Sequence, residues 1–248
     1  MENQLRTFKL YTFFICWALC LASGSFVSVA QANNDLITFN NSYTAKLYGF
    51  SIDVNSRLSA TGDGNYEMYF DADAFVGNNN EVTRVKWNPE DQTIIPLHYT
   101  FKRSGLGKGK EEALSFNWQE RSVKNLTKNK VMPFDGALNV QDNLSYQLQL
   151  RQDLMAGKKK LEYAIANGKR FKHYRFEVIG EEILSTPLGN VKTVKVKRTY
   201  SNDETATYAW FAKDFQYLLV QLQQEENGSA YTIYLSKASI NGKAIEHF

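Results

Sequence analysis

After Cys20 the chain contains no cysteine. Both thiols, Cys16 and Cys20, fall within the first 32 residues. The rest of the chain therefore has no disulfide, no thiol nucleophile and no thiolate metal site. Histidine is nearly as scarce: His98, His173 and His247 are the full complement of three. None sits in an H-E-x-x-H or comparable spacing, so neither a metal nor any other cofactor is expected. The phosphate-cradling G-x-x-x-x-G-K-[ST] and G-x-G-x-x-G patterns are missing, as is the G-x-S-x-G of hydrolases. "GLGKGK" reads as a basic hairpin loop. A large charge of one sign is missing too. The formal net charge is +3 over 248 residues, too weak a field to argue for nucleic-acid binding. No catalytic residue is assigned, and the chain is not expected to be an enzyme.

The first 32 residues read as an export signal. Arg6 and Lys9 form a basic start, Leu10 to Val27 an apolar run, and Ala30-Gln31-Ala32 a small-x-small cleavage site. Cleavage is expected after Ala32. The apolar run falls short of the ~20 residues a span requires, and small and polar residues interrupt it. Leu19 precedes Cys20 where a lipidated cysteine needs a small neighbour. The mature chain is expected to have no transmembrane span.

From Asn33 onward the dominant signal is alternation at period two, rich in Tyr, Phe, Val, Ile and Thr and broken by Gly/Asn/Asp clusters. Such a pattern predicts consecutive antiparallel strands with turns about every ten residues. "AKLYGFSIDVNSRLSA" reads as one long strand, and "YEMYFDADAFV" as its return after "TGDGN". The tetrapeptides "HYTF" at His98 and "HYRF" at His173 are two strands of like construction. Tyr99 and Phe101, like Tyr174 and Phe176, face one side, and the histidines face the polar other side. Asp71 and Asp73, on one strand face, and Glu181 and Glu182, placed at a turn, are carboxylate pairs of the kind glycosidases use, and solvated positions account for both.

The alternation breaks once. From Asp142 to Met155 a helical spacing puts Leu144, Leu148, Arg151 and Met155 on one face, with Gly157 just beyond. Asp142 is suited to cap the first turn. The predicted architecture is one mainly β domain over residues 33–248. Its curved antiparallel sheet, an open or incomplete barrel, carries a single inserted amphipathic helix near 142–156.

"HYRFEVIGEEILSTPLGNVKTVKVKR", with "DNLSYQLQLRQDLMAG" before it and "YAWFAKDFQYLLVQLQ" after it, resembles the bacterial domain-of-unknown-function family 3108. The resemblance runs from about Tyr48 to Ile240 and implies an exported protein of the Gram-negative periplasm. The family's helix block falls on Asp142 and Ser145 and ends at Leu150-Arg151. Its strand-turn block falls on Phe176, Val178, Gly180, Glu182, Leu184, Thr186, Pro187 and Gly189. A third block falls on Trp210, Ala212 and Asp214, and Leu219 stands where the family often has proline. The candidate binding residues are accordingly Asp142, Ser145, Arg151, Glu182, Trp210 and Asp214. Gly180, Pro187 and Gly189 are candidate turn residues. Glu182 is expected to steady a turn, and Arg151 to bridge helix and sheet through strand carboxylates.

The family has no established activity, so function is read from physics. A long sheet with one apolar face must bury it, at about 25 cal/mol per Å². A face left partly open would attract a lipid, another apolar ligand or an envelope protein, in a role in envelope maintenance. A filled core would instead leave a scaffolding protein working through an interface, and an unrecognised envelope-polymer enzyme is the remaining alternative.

Overall fold

The computed structural model describes residues 35–248, except 48, 49, 75, 76, 106, 107, 137, 138, 201–204 and 227, and except the side chains of 46, 47, 50 and 51. The expected export signal lies outside the described residues. Two meanders make up the sheet. The first runs β1 (Phe39–Leu47), β2 (Phe50–Gly62), β3 (Asn65–Ala74), β4 (Gly77–Asn88), β5 (Thr93–Gly105), β6 (Lys110–Asn117), β7 (Ser122–Asn125) and β8 (Lys130–Pro133). A short β9 (Val140–Gln141) then leads into the helix α1 (Ser145–Met155). The second meander runs β10 (Leu161–Ala166), β11 (Phe171–Thr186), β12 (Gly189–Thr199), β13 (Thr205–Ala212), β14 (Leu218–Glu226) and β15 (Ser229–Ile240), followed by β16 (Lys243–Ala244).

Alternation produces the strands as expected. In β6, Glu112, Leu114 and Phe116 are buried while their neighbours are not. Tyr99 and Phe176 are buried, and His98 and His173 are exposed on strands that are not neighbours. One expected strand is in fact two. Leu47 pairs antiparallel with Phe50, so "AKLYGFSIDVNSRLSA" is divided between β1 and β2, and a single Gly inside an alternating run concealed the hairpin.

Every neighbouring pair in sequence within each meander is also a neighbour in space. The junction is not local: β1 lies antiparallel to β15, joining Phe39 to Ile240. The result is one 16-stranded sheet with β8 and β9 as the ends of its order, so it curls without closing by strand pairing.

Side chains and α1 join what the ladders leave apart. β6 pairs with β5 only from His98 to Arg103, which leaves the start of β5 without that neighbour. There the Ile94 N–H donates to Gln149 Oε1 (2.7 Å), and Gln141 Nε2 donates to the Ile94 carbonyl (2.9 Å). Trp118 Nε1 donates to the Pro96 carbonyl (2.7 Å). At the tip of the β10–β11 hairpin, Asn125 Nδ2 donates to the Gly168 carbonyl (2.9 Å) and to Glu112 Oε1 (3.1 Å). Gly168 has φ +57°, and a Cβ there would collide with Glu112 Oε1. Gly168→Ala should therefore cost on the order of 2 kcal/mol, read from urea unfolding, because the buried Glu112–Asn125 pair must give way.

α1 is the one α-helix among the described residues. Its burial differs from a single amphipathic stripe. Leu144 and Leu148 pack into the cluster of the first meander with Val85, Ile94 and Leu114, whereas Leu150 and Leu154 pack with Tyr163, Ile165 and Phe211 of the second. Residues 148 and 150 are about 200° apart around a helix, so α1 is wedged between two walls and buried on nearly every side. Gln149 and Asp153 lie between those faces. Asp153 accepts from Gln149 Nε2 (2.9 Å) and Tyr163 Oη (2.8 Å) and pairs with Lys158 Nζ (2.8 Å). Gly157, at φ +67°, ends the helix with its N–H bonded to the Leu154 carbonyl while Lys158 reaches the Asp153 carbonyl, the paired bonds of a Schellman cap.

Candidate functional site

The concave side of the sheet does not pack completely against α1. A cavity of about 260 Å³ remains, walled by Val54, Met68, Val196, Ala209 and Phe211 from the sheet and by Tyr146, Leu150 and Arg151 from the helix. A single water needs only ~10–15 Å³ by this kind of measure, so the space is far roomier than a packing defect. Its walls are mainly apolar.

Arg151 is the charged residue that α1 contributes. The side chain is only 6% exposed. Its Nε donates to the Gln216 carbonyl (2.6 Å), and its guanidinium lies 5.4 Å from the Phe39 ring centroid. It is in none of the described ion pairs, so the expected bridge to strand carboxylates is not formed. Its partners are a carbonyl and an aromatic face. Burial lowers its pKa to about 10, which leaves it protonated at neutral pH.

At the other end of α1, Asp142 and Ser145 lock the first turn together. Asp142 Oδ1 accepts from the Leu144 and Ser145 N–H groups (both 2.8 Å), and Ser145 Oγ accepts from the Asp142 N–H (2.9 Å). Asp142 Oδ2 accepts from Thr83 Oγ1 (2.7 Å). Asp142 thus caps the turn that leads into α1 and not the helix itself, which starts at Ser145 with Leu144 in the N-cap position; Asp142 and Ser145 are both buried away from the cavity lining. Beside them Tyr99 Oη donates to Glu81 Oε2 (2.5 Å) and receives a long bond from Asn143 Nδ2 (3.5 Å).

Burial raises the pKa of both carboxyls, Glu81 and Asp142, and Asp142's charge adds to the rise at Glu81. Each binds its proton more tightly folded than unfolded, so the stability it withholds at neutral pH returns as pH falls through the raised value towards 4.5 for Glu81 and 3.8 for Asp142. Glu81→Gln should consequently raise the melting temperature by a few degrees at pH 8. That advantage should shrink towards zero by about pH 4.5, as calorimetry across the pH range would show.

Residues 87–236 match the family model described as Protein of unknown function (DUF3108). The chain belongs to this family. The match begins further along than Tyr48 and takes in α1, the whole β10–β14 run and most of β15. Among solved structures, this DUF3108 chain is similar to a β-barrel-like protein of the DUF1849 domain of unknown function from Brucella abortus. The TM-score is 0.58 at 11% identity, over 84% of this chain and 100% of that one. That likeness is one of fold. A duf1089 family protein from Pseudomonas aeruginosa matches at a TM-score of 0.31 and 14% identity, over 67% of this chain and 87% of that one. No curated protein matches the sequence.

The other candidate residues of this DUF3108 chain lie apart from the cavity. Trp210 is buried in β13, where its Nε1 donates to Glu182 Oε1 on β11, with Lys195 Nζ 3.7 Å from the same oxygen. Lys195 also sits over the Trp210 ring, 4.6 Å from its centroid. The three make a cross-strand tie on the face opposite Phe211, so Glu182 and Glu181 are mid-strand residues and not turn residues. Glu181 pairs with Lys213 (2.7 Å). Asp214 is exposed in a 3-10 turn at Lys213–Phe215.

Gly180 also falls inside β11, at the bulge between Val178 and Gly180, so its expected place in a turn is corrected: the strand continues through it to Thr186. Pro187 and Gly189 are turn residues as expected. Pro187 and Leu188 connect Thr186 to its pairing partner Gly189, whose φ of +116° a side chain would strain. Among the described residues no cluster of three or more His, Cys, Asp or Glu is placed to hold a metal.

Of the candidate binding residues only Arg151 lines the cavity; sequence reasoning missed the rest of the lining, Asn41, Tyr43 and Arg198 among it. Arg198 shares the period-two phase of Val194 and Val196, which points it inward with them. Asn41 and Tyr43 sit in β1, where Phe39, Tyr43 and Ala45 alternate with polar residues, a signal that could have found the inner face; the polar Asn41 interrupts it.

Proposed function

We propose that this protein is an exported, non-catalytic binding protein that holds an apolar ligand between the concave sheet and α1 and serves in maintenance of the cell envelope. The observation that carries the reading is the cavity: about 260 Å³ of space with mainly apolar walls, at the place where a filled core would have packed. Clefts near and above this size, lined by apolar groups with a few polar ones, are what small-molecule sites look like. The export signal read in residues 1–32 supports a periplasmic location. No helix among the described residues is long and apolar enough to cross a membrane.

Native mass spectrometry of gently purified protein should display a bound apolar adduct, and the protein should take up a fluorescent fatty acid. A bare mass together with no uptake would remove the proposal.

A second reading, action through a protein interface, is favoured by β11. β10 covers β11 only from Phe171 to Phe176, so Glu177–Thr186 is laddered on one side, by β12. Val178, Ile179 and Ile183 are exposed there. Unpaired edges with apolar side chains favour pairing with another strand.

A further inference from the structure

The cavity contains an unanswered charge. Arg151 Nη2 is buried and has no hydrogen-bond partner, and the same holds for Asn41 Oδ1. Both residues line the cavity, and no Asp or Glu does so among the described residues. They belong to one local group. Asn41 Nδ2 donates to Tyr43 Oη (3.3 Å), and Tyr43 in turn feels the Arg151 charge. Tyr43 supplies no counter-charge, since burial pushes it up to about 12 and its hydroxyl stays neutral. The Asn41 amide can turn over, so it can present its N–H₂ to the cavity while accepting from Tyr43.

A buried cation with no anion is disfavoured unless something else pairs with it. One carbonyl and the Phe39 face satisfy part of the guanidinium and leave the Nη2 edge for a further acceptor. The remaining lining is mainly apolar, with Val54, Met68, Leu150, Ala209 and Phe211 in it.

We infer that the ligand is a single-chain amphiphile whose anionic head is held by Arg151 with Asn41 beside it, and whose tail lies along the apolar wall. This rests on the apolar-ligand reading and adds the head group. Charge-assisted hydrogen bonds to a carboxylate or phosphate oxygen suit a guanidinium edge, and the low-dielectric surroundings strengthen them. Arg198 also lines the cavity and its Nε too is buried without a hydrogen-bond partner, but its guanidinium lies over the rings of Tyr174 (3.3 Å) and Tyr200 (4.5 Å), whereas Arg151 keeps an Nη2 edge unpartnered, so the head is assigned to Arg151.

The test is calorimetric titration of the purified protein with four ten-carbon probes: decanoate, decyl phosphate, decanol and decyltrimethylammonium. Wild type should bind decanoate or decyl phosphate on the order of 10- to 100-fold more tightly than decanol, the worth of a charged hydrogen bond. Whichever of the two anions binds better tells a carboxylate head from a phosphate one. Arg151→Met should keep decanol binding and lose the preference, and Arg198→Met should retain it.

Equal binding of anion and alcohol by wild type would overturn the head-group inference while leaving an apolar site intact. So would a preference that survives Arg151→Met or disappears in Arg198→Met. Binding of none of the four probes would sink the apolar-ligand reading itself, and this inference with it. Should Arg151→Met fail to fold, the wild-type comparison of decanoate with decanol still decides.

Discussion

Ala209→Trp should abolish uptake of a fluorescent fatty acid while leaving circular dichroism and the unfolding midpoint close to wild type. Ala209 is buried on β13, and its side chain faces the cavity beside Phe211 and Val196. An indole added there occupies much of the roughly 260 Å³ that a ligand would use. In a close-packed core the same insertion would force strain of about 1–3 kcal/mol, so the variant also separates a binding cavity from a filled core. Lost uptake with retained stability supports a binding cavity. Lost stability with no uptake in either protein favours the interface reading.

Asp142→Ala should destabilise the fold by on the order of 4 kcal/mol, measured by urea denaturation. Removing a capping side chain costs about 0.5–2 kcal/mol, and each buried donor left without an acceptor costs about 1–3 kcal/mol more. Two backbone donors, the Leu144 and Ser145 N–H groups, depend on this one carboxylate, and the Thr83 hydroxyl would be left with only its longer bond to the His98 carbonyl (3.3 Å). A domain stability of about 5–15 kcal/mol leaves little margin for such a loss. Asp142→Asn keeps an acceptor oxygen and removes a charge that burial disfavours, so it should lie within about 1 kcal/mol of wild type. A mild effect from Asp142→Ala would show that the first turn is held by its packing alone.

Most strand segments, the helix and its C-terminal end were legible because their signals are local. Alternating Leu114 and Phe116 and the αL position at Gly157 each depend on residues a few places apart, whereas the helix starts three residues after Asp142, which holds the turn before it. The hairpin after Leu47 was not legible, because "AKLYGFSIDV" keeps its apolar content across the reversal. Gly180 was misplaced for a related reason: a bulge and a turn both tolerate glycine, and only the β11–β12 register separates them. The candidate residues drawn from the family resemblance divided by location. Arg151 reached the cavity, Asp142 and Ser145 became the helix start, and Glu182 with Trp210 formed a tie between strands. Their types in sequence do not reveal which carboxylate a given cation will meet.

Sequence by itself determined a strand-dominated chain with no cysteine after Cys20 and with one helix, since composition and short-range periodicity act before any long-range contact forms. Tertiary structure decided the rest. Pairing β1 with β15 brings together segments some two hundred residues apart, a loop closure that no local pattern encodes. That closure curls the sheet around α1, buries the helix on two sides and leaves the hollow between them. It also sets Arg151 against a carbonyl and an aromatic ring with no acid in reach, because which side chains share a cavity is settled by strand register and curvature across the whole ribbon.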